Sequence, residues 1–384
     1  MSYFTKSLAL HKKLKGKLEI NSKVKIKNKA DLSVAYTPGV AEVSRVIAKD
    51  KKLMYEYTLK SNSVAVITDG SAVLGLGNIG PEGAMPVMEG KAILFKEFAG
   101  IDAYPICLAT QDTEEIIRTI KYISVGFGGI NLEDISAPRC FEIEERLKKE
   151  LDIPVMHDDQ HGTAIVVLAA LINALKVVKK QHKKIQVVIN GAGSAGIAIF
   201  NLLGMYGIPS GNLIMVDSRG IIETGRGDLN SLKKEIAIKS NKKKVVGSLG
   251  DALVDADVFI GVSVADSLKP EWVGGMATDP IVFAMANPNP EISLENMKKT
   301  KIKVFGTGRS DYPNQINNVL AFPGIFRGAL DARVRMITDT MKVSAAVAIA
   351  NLVSKKELSA ECIIPNPFNK KVAPAVARAI KKNK

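Results

Sequence analysis

A glycine-rich turn between a predicted strand and a predicted helix constrains this fold most. The turn reads GAGSAG over residues 191–196, directly after the apolar run 185–190 and at the start of a helical pattern over 195–205. The first glycine permits a tight turn, the second lets the backbone approach a pyrophosphate, and the third allows close helix–strand packing. The helix N-terminus offers unpaired N–H groups to the phosphates. The residues predicted to hold a dinucleotide here are Gly191, Gly193, Ser194, Ala195 and Gly196.

An acidic residue stands where such a unit binds the adenosine ribose. Asp217 follows Gly196 by 21 residues and ends the next predicted strand. Its carboxylate can accept hydrogen bonds from the ribose hydroxyls and would repel a 2′-phosphate, which favours NAD. Ser218 and Arg219 come next and could instead bind that phosphate. The sequence therefore predicts NAD, with NADP as the alternative.

A second glycine pattern, GLGNIG over residues 75–80, competes for the same role. It follows its strand at a greater distance, and Pro81 and Glu82 come directly after it. Asp102 lies at a suitable spacing but precedes a strand. We predict that this copy is a loop near the active site and that residues 191–196 hold the cofactor.

Predicted strands alternate with helical patterns along most of the chain, which indicates parallel sheets covered by helices. The strands are predicted at residues 63–68, 103–108, 185–189, 213–216, 258–260 and 281–284. The helices are predicted at residues 113–124, 138–151, 163–179 and 195–205. A chain of 384 residues exceeds the usual size of a single core. We therefore expect an α/β protein of two domains.

The domain boundary is predicted near residue 158. Residues 1–157 would form a smaller α/β substrate domain, and residues 158–317 a Rossmann-type, doubly wound, mostly parallel sheet. The helical tail 318–384 is expected to pack back on the first domain.

Composition narrows the class of protein. The net charge is +14, but the lysines are scattered and aromatic residues make up only 5% of the chain. No base-stacking platform is suggested, so nucleic-acid binding is not expected. The apolar runs look short or broken, so no membrane span is expected either. Three cysteines, far apart in sequence, indicate a reducing compartment, and we predict a soluble cytoplasmic protein.

Two pairs of adjacent acids follow apolar segments. Glu133 and Asp134 form one pair, and Asp158 and Asp159 form the other. Carboxylates that converge on one point need a cation, and oxygen ligands suit Mg²⁺ or Mn²⁺. Flanking histidines at 157 and 161 make zinc an alternative, and helix capping is a structural explanation for either pair. We predict a magnesium or manganese site.

Two further residues are weak signals when taken singly. Tyr36 precedes Pro38 and Gly39, which would hold its hydroxyl beside a rigid turn. Lys91 is expected to begin a helix among apolar residues, which would lower its pKa. A core tyrosine and a surface lysine are the alternatives.

Together these segments resemble the malic enzyme family, in particular its short bacterial and archaeal type. The matching segments are SVAYTPGVAEVSR (33–45), ITDGSAVLGLGNIGPEGAMPVMEGKAILFKEFAGIDAYPI (67–106), GGINLEDISAPRCFEIE (128–144), MHDDQHGTAIVVLAALINAL (156–175), INGAGSAGIAI (189–199), MANPNPEI (285–292) and NNVLAFPGIFRGALD (317–331).

The resemblance implies oxidative decarboxylation of L-malate to pyruvate and carbon dioxide with NAD(P) and a divalent metal. It implies the following roles: Tyr36 as general acid, Lys91 as general base, Asp158 as an accompanying acid, Glu133, Asp134 and Asp159 as metal ligands, Asn287 as a contact of cofactor and substrate, and Asn318 as a substrate contact. It also implies a homo-oligomer, at least a dimer. Whether Tyr36 serves its own or a neighbouring subunit stays open.

One departure from the family pattern concerns the substrate carboxylate. Larger malic enzymes carry an arginine at the position of Ala72, so the carboxylate clamp is unassigned here. The alternatives are a malolactic enzyme, which yields lactate without net cofactor reduction, another Rossmann dehydrogenase of the amino-acid type, and a cofactor-sensing protein without turnover.

Overall fold

Two β-sheets with helices on their faces make up residues 3–73 and 75–384, the part of the chain that the computed structural model describes. The strands are β1 (Ser63–Thr68), β2 (Asp102–Cys107), β3 (Gly129–Leu132), β4 (Val155–His157), β5 (Val187–Asn190), β6 (Leu213–Asp217), β7 (Gly220–Ile221), β8 (Val258–Gly261), β9 (Ile281–Ala284) and β10 (Val304–Thr307). The helices are α1 (Tyr3–Leu14), α2 (Lys29–Ala35), α3 (Val40–Lys49), α4 (Met54–Tyr57), α5 (Gly80–Ala99), α6 (Thr113–Ile123), α7 (Arg139–Glu150), α8 (Asp158–Val177), α9 (Ser194–Tyr206), α10 (Ser231–Lys239), α11 (Leu249–Leu253), α12 (Pro270–Gly274), α13 (Leu294–Lys298), α14 (Phe322–Ala332), α15 (Asp339–Ala350) and α16 (Val372–Lys382).

The first sheet has four parallel strands in the order β2-β1-β3-β4. Val64 on β1 lies opposite Ala103 on one side and Gly129 on the other, which fixes the register. Every residue of β1 is buried, as expected for a parallel strand covered on both faces. Because the strands are parallel, the segments that follow β1, β3 and β4 all emerge at one edge.

The second sheet has six strands in the order β10-β9-β8-β5-β6-β7. All of its pairings are parallel except the short antiparallel contact between β6 and β7. The glycine turn 191–196 joins the central strand β5 to α9. This is the doubly wound order of a dinucleotide-binding sheet, except that the short antiparallel β7 occupies the edge position of the third parallel strand. The predicted α/β class, with a Rossmann-type second sheet, is confirmed.

Helix α8 lies at the centre of the molecule. By length and composition it could cross a membrane, although the sequence was expected to contain only short or broken apolar runs. However, 78% of its most apolar 18-residue stretch is buried inside the protein. Its residues share one hydrophobic core with β1 of the first sheet and β5 of the second. We conclude that α8 is an internal helix packed between the sheets.

The C-terminal helices contact the first sheet's helix layer. The Phe95 ring on α5 packs edge-on against Phe322 and Phe326 of α14, with ring centroids 4.7 and 5.4 Å away. Helix α15 packs along α8, and α16 packs on both α14 and α15.

The exact domain boundary between residues 157 and 158 stays a prediction.

The N-terminal helices make little use of this core. None of the residues of α1 to α4 is buried. The exposed apolar side chains of this segment include Tyr3, Phe4, Leu8, Leu10, Leu14, Leu18, Ile20, Val24, Ile26, Leu32, Val34, Tyr36 and Val40. The N-terminal arm, defined as residues 3–57, thus leaves most of its apolar surface in contact with solvent in the single subunit.

Candidate active site

The acidic pairs meet at the carboxyl edge of the first sheet. Glu133 and Asp134 follow β3, and Asp158 and Asp159 open α8 directly after β4. One oxygen atom from each of Glu133, Asp134 and Asp159 can be chosen so that all three lie within 4.8 Å of one another. The predicted convergence of the two pairs is therefore present.

The donor set fits a hard divalent cation. All three groups are carboxylates, and Glu133 and Asp134 are buried while Asp159 is partly exposed. The Asp159 carboxylate also accepts a hydrogen bond from the Asp134 backbone N–H at 2.8 Å, which ties the two segments together. Asn131 donates to Glu133 at 2.8 Å. Three oxygen ligands with second partners of this kind suit Mg²⁺ or Mn²⁺.

The neighbouring histidines are not among the grouped metal donors. His161 Nε2 lies 2.9 Å from Glu144 Oε2, and the buried His157 ring lies 3.7 Å from Asp159 without a hydrogen-bond partner. Among the described residues, the group that could hold a metal contains neither histidine. An oxygen-only site disfavours the zinc alternative.

Lys91 is the cation of this site. Its Nζ lies 2.7 Å from Asp158 Oδ2 and 2.8 Å from Glu133 Oε1, and 4.3 Å above the centre of the Phe322 ring. The lysine is buried at mid-helix in α5, so the expectations that it begins the helix or lies on the surface were wrong. The apolar residues around it in sequence face the core, whereas its ammonium group faces carboxylates from two other segments.

The pKa of Lys91 also differs from the sequence expectation. Burial by itself would lower that pKa, but Asp158 and Glu133 outweigh burial and hold it well above its usual range. Burial raises the pKa of the Asp158 carboxyl to about 7 and also raises that of Glu133, although Lys91 opposes both shifts. The Asp158 and Glu133 carboxyls therefore hold a proton more strongly than isolated carboxyls do, and Lys91 holds its ammonium proton more strongly than an isolated lysine does.

Asn318 reaches the same cluster from the C-terminal region. Its Nδ2 donates to Asp158 Oδ2 at 2.6 Å, so the predicted substrate contact lies beside the predicted acid. The Asp158 Oδ1 atom is buried without a hydrogen-bond partner. A Cβ on Gly162 would lie 1.9 Å from that oxygen, which is why glycine stands there.

Tyr36 is not part of this cluster in the single subunit. It follows α2, its side chain is 66% exposed, and the described hydrogen bonds of its side chain include none to the acidic residues.

Asn287 lies where the loops of the two sheets touch. A Cβ on Gly75 would come within 2.9 Å of the Asn287 carbonyl oxygen, and one on Gly308 within 3.0 Å of its side-chain nitrogen. The described side-chain hydrogen bonds of Asn287 do not include one to the acidic cluster. The structure thus brings this residue to the junction of the two sheets.

A cleft of about 870 Å³ opens at the carboxyl edge of the second sheet. Among the residues that line it are Gly191, Asp217, Ser218 and Arg219. No side chain caps the N-terminus of α9. A Cβ on Gly196 would lie 1.8 Å from the Gly191 carbonyl oxygen, whereas one on Gly193 would meet no protein atom within 4 Å. These are the two glycine roles expected of a pyrophosphate-binding turn.

The other glycine copy cannot offer the same donors. Gly80 begins α5, so this copy does lead into a helix, contrary to the prediction of a plain loop. However, the Gly80 N–H already donates to the Gly70 carbonyl at 3.2 Å, and Pro81 has no N–H. The first turn of α5 therefore has fewer donors for a phosphate than that of α9.

Asp217 is surrounded by cations that the sequence analysis missed. Arg226 Nη1 lies 2.8 Å from Asp217 Oδ1, and Lys233 Nζ lies 2.6 Å from Oδ2. The exposed Arg219 pairs with Asp228 at 3.2 Å. Arg226 and Lys233 lie 9 and 16 residues after Asp217, without a local pattern that would link them to it. Only the fold brings these side chains to the ribose end of the cleft.

Family comparisons cover most of the chain. Residues 15–123 match the family described as "Malic enzyme, N-terminal domain", and residues 160–383 match "Malic enzyme, NAD binding domain".

Curated relatives match over nearly the whole chain. A bifunctional malic/malolactic enzyme of Bacillus subtilis is 60% identical over 383 residues, which cover 100% of this chain and 93% of the relative. An NAD-dependent malic enzyme of Geobacillus stearothermophilus is 59% identical over 95% of this chain and 76% of the relative. An NADP-dependent malic enzyme of Halomonas elongata is 46% identical over 96% of this chain and 90% of the relative.

Solved structures agree with the fold. The malic enzyme of Pyrococcus horikoshii superposes with a TM-score of 0.95 at 48% identity, covering 100% of this chain and 90% of that one. The NAD-dependent malic enzyme of Thermotoga maritima superposes with a TM-score of 0.93 at 49% identity, covering 98% of each chain.

Proposed function

Because the chain belongs to the malic enzyme family, we propose that it converts L-malate to pyruvate and carbon dioxide while NAD(P)⁺ is reduced to NAD(P)H. The observation that carries this proposal is the position of Lys91 between Asp158 and Glu133, beside three carboxylates suited to a divalent cation. A dehydrogenase of the amino-acid type would not need those carboxylates. A cofactor sensor without turnover would need neither them nor the buried lysine.

Different residues of the site are assigned to metal binding and to proton transfer. Glu133, Asp134 and Asp159 would hold the divalent ion, which would supply Lewis-acid chemistry to the substrate. Lys91 takes the proton of the C2 hydroxyl as hydride leaves C2 for the nicotinamide, and the 2.7 Å contact to Asp158 lets the proton pass onward. Lys91 gives up its own proton more readily once a divalent cation offsets the neighbouring carboxylate charge.

The later steps need an acid at C3 and contacts to the substrate. Loss of carbon dioxide from the β-keto carboxylate leaves an enolate, and Tyr36 delivers the one proton that C3 needs to become the methyl group of pyruvate. Asn318 is positioned by its bond to Asp158 to contact the substrate. Asn287, at the junction of the sheets, contacts both substrate and cofactor.

A malolactic activity is the second candidate. The Bacillus subtilis relative, at 60% identity, is named a bifunctional malic/malolactic enzyme. The same site would then decarboxylate malate to lactate with no net change in the cofactor.

One assay separates these outcomes. The purified protein is incubated with L-malate and Mn²⁺, with NAD or NADP added separately, and both cofactor absorbance and organic products are followed. Pyruvate formed in step with reduced cofactor, and lost on chelation of the metal by EDTA, supports the proposed reaction. Lactate without net reduction supports the malolactic alternative. Absence of metal-dependent turnover with either cofactor contradicts both.

NAD is the proposed preferred cofactor. The Asp217 carboxylate lies at the proposed ribose end of the cleft, where it can accept hydrogen bonds from the ribose hydroxyls. Burial alone would raise its pKa, but hydrogen bonds from Arg226 and Lys233 keep that pKa below its usual value, so the group is a charged acceptor. The same two cations offset its repulsion of a 2′-phosphate, which supports NADP as a second, weaker cofactor.

The active form is proposed to be at least a homodimer. The N-terminal arm leaves its apolar side chains exposed, and Tyr36 lies on that arm away from the acidic cluster. An arm that packs on a second copy would cover the apolar surface and bring Tyr36 to the neighbouring site. Light scattering after size-exclusion chromatography tests this, and a monomeric mass for the active protein would contradict it.

The cellular compartment is proposed to be the cytoplasm. All three cysteines, Cys107, Cys140 and Cys362, are free thiols in the structure. Free thiols of this kind are typical of proteins that work in a reducing compartment.

A further inference from the structure

A buried carboxylate lies directly behind the acidic cluster. Glu144, on α7, is only 4% exposed. Its Oε1 accepts a hydrogen bond from the backbone N–H of His157 at 3.0 Å, and its Oε2 lies 2.9 Å from His161 Nε2. One side chain therefore binds the residues on both sides of the Asp158–Asp159 pair.

That pair lies at a junction with few other restraints. His157 ends β4 and is the N-cap of α8, yet no side-chain capping bond forms at this helix start. In most helices a capping side chain fixes the first turn. Here Glu144 binds the cap residue from outside the helix and binds the first turn again through His161. The direction in which Asp159 leaves the helix depends on this junction.

Glu144 pairs with one lysine and lies within the electrostatic influence of a second. Lys148 Nζ lies 2.6 Å from Glu144 Oε1, one turn along the same helix. The buried Lys342 of α15 adds a second positive charge that interacts with Glu144. The hydrogen bonds and the ion pair of Glu144 thus join α7 of the first sheet to the start of α8 behind the site.

We propose that Glu144 is a positioning residue for the metal site: through His157 and His161 it fixes the β4–α8 junction and so sets Asp159 against Glu133 and Asp134. The inference rests on the proposed metal-ligand roles of those three carboxylates. Removing a residue that orients metal ligands through hydrogen bonds typically weakens metal binding by about 10- to 100-fold. Glu144 touches neither substrate nor cofactor in this scheme.

The test measures Mn²⁺ binding by the electron paramagnetic resonance signal of the free ion. Glu144→Leu removes both acceptor oxygens, while Glu144→Gln keeps one acceptor for the His157 N–H. We expect the Mn²⁺ dissociation constant to rise by about 10- to 100-fold in Glu144→Leu and by less in Glu144→Gln. The dissociation constant for NADH and the kcat at saturating Mn²⁺ should stay within a few-fold of the wild-type values.

Glu145→Leu is the matched control. Glu145 is the next residue of the same helix, its side chain is 68% exposed, and it pairs with Lys149. That variant should bind Mn²⁺ like the wild type. If Glu144→Leu does not fold, His161→Leu removes one of the Glu144 contacts and should still weaken Mn²⁺ binding.

Wild-type Mn²⁺ affinity in folded Glu144→Leu, or in His161→Leu where the first variant does not fold, overturns the inference. Equal weakening of Mn²⁺ and NADH binding would also overturn it, because that result indicates general destabilisation. The readout does not depend on malate turnover, so failure of the proposed reaction and failure of this inference are distinguishable.

Discussion

Opposite charges hold the individual side chains of the candidate site in place. Lys91 has two carboxylates within 2.8 Å and an aromatic face beneath it, and Asp158 is bound by both Lys91 and Asn318. Replacing such a buried charged group removes all of its ion pairs and hydrogen bonds together and leaves its partners buried without them. Substitutions at this cluster should therefore change chemistry more than cofactor binding, which we propose for the second sheet.

Lys91→Ala should abolish malate oxidation and leave cofactor binding near normal. Loss of a general base lowers the rate by about 10²–10⁴-fold. Stopped-flow kinetics with malate and fluorescence titration with NADH give the two values. Lys96→Ala is the control, because Lys96 lies on the same helix with its side chain 59% exposed. A parallel loss of NADH affinity in folded Lys91→Ala would contradict the assigned role.

Asp217→Ala should shift the cofactor preference toward NADP. The substitution removes an acceptor of the ribose hydroxyls and leaves Arg226 and Lys233 to face a 2′-phosphate. We expect the ratio of kcat/KM for NADP to that for NAD to rise by about tenfold or more, since one charged contact is worth roughly 1.5–3 kcal/mol. Asp228→Asn, which alters the other partner of Arg226, should change the ratio less. An unchanged ratio in Asp217→Ala would remove Asp217 from cofactor selection.

Residue identities were predictable where the sequence brings acids to strand ends, and less so where a side chain acts across the fold. Glu133, Asp134 and Asp159 could be grouped because the carboxyl ends of parallel strands share an edge. The environment of Lys91 could not, because its carboxylates come from segments more than 40 residues away along the chain. Arg226 and Glu144 carry no local pattern at all, since their partners are set by tertiary packing.

At the scale of elements, the turn between β5 and α9 combines two different steric demands. Gly196 packs against the Gly191 carbonyl, and Gly193 borders open space. The first glycine serves the contact between helix and strand, and the second leaves room for a ligand. The two roles should separate on substitution.

Gly196→Ala should destabilise the protein, and Gly193→Ala should weaken cofactor binding instead. The added methyl at 196 meets a backbone oxygen, and overpacking of this kind costs about 1–3 kcal/mol in the free energy of unfolding. The methyl at 193 meets no protein atom but enters the space expected for the pyrophosphate. Urea unfolding and NADH titration of both variants check this. Equal stability loss in the two variants would contradict the assignment of roles.

The elements of the second sheet were easier to predict than those of the first. β5, β6, β8 and β9 are mostly apolar runs, whereas β3 contains Gly129 and the polar Asn131, and β4 has only three residues. The start of α8 was placed five residues late, because its first turn consists of polar and charged residues that serve the site. Functional demands thus obscured the pattern at the place where the site is built.

For the whole molecule, the main open surface is the N-terminal arm. None of the residues of α1 to α3 is buried within the subunit, although the arm carries the residue proposed as general acid. A site completed by a second copy explains both facts. The sequence could name Tyr36 through the family resemblance, but it could not say which subunit the tyrosine serves.

Mixing two inactive variants tests that arrangement. If Tyr36 acts on the neighbouring subunit, Tyr36→Phe and Lys91→Ala put both defects into one site of a mixed dimer and leave the other site intact. After subunit exchange, equal amounts should recover about a quarter of wild-type activity, because half the dimers are mixed and half their sites are complete. Each variant mixed with itself is the control. No recovery, with exchange verified by native mass spectrometry, would show that Tyr36 serves its own subunit.

Helix α8 has a further consequence for how this protein can change over generations. Its first turn carries Asp158 and Asp159, and the rest of its length fills the core between the two sheets. A replacement in the middle of the helix that shifts its axis therefore also shifts the groups at its start. Thermal adaptation of such a protein is expected to avoid this helix and to accumulate on the outer helices, where packing can improve without retuning the chemistry.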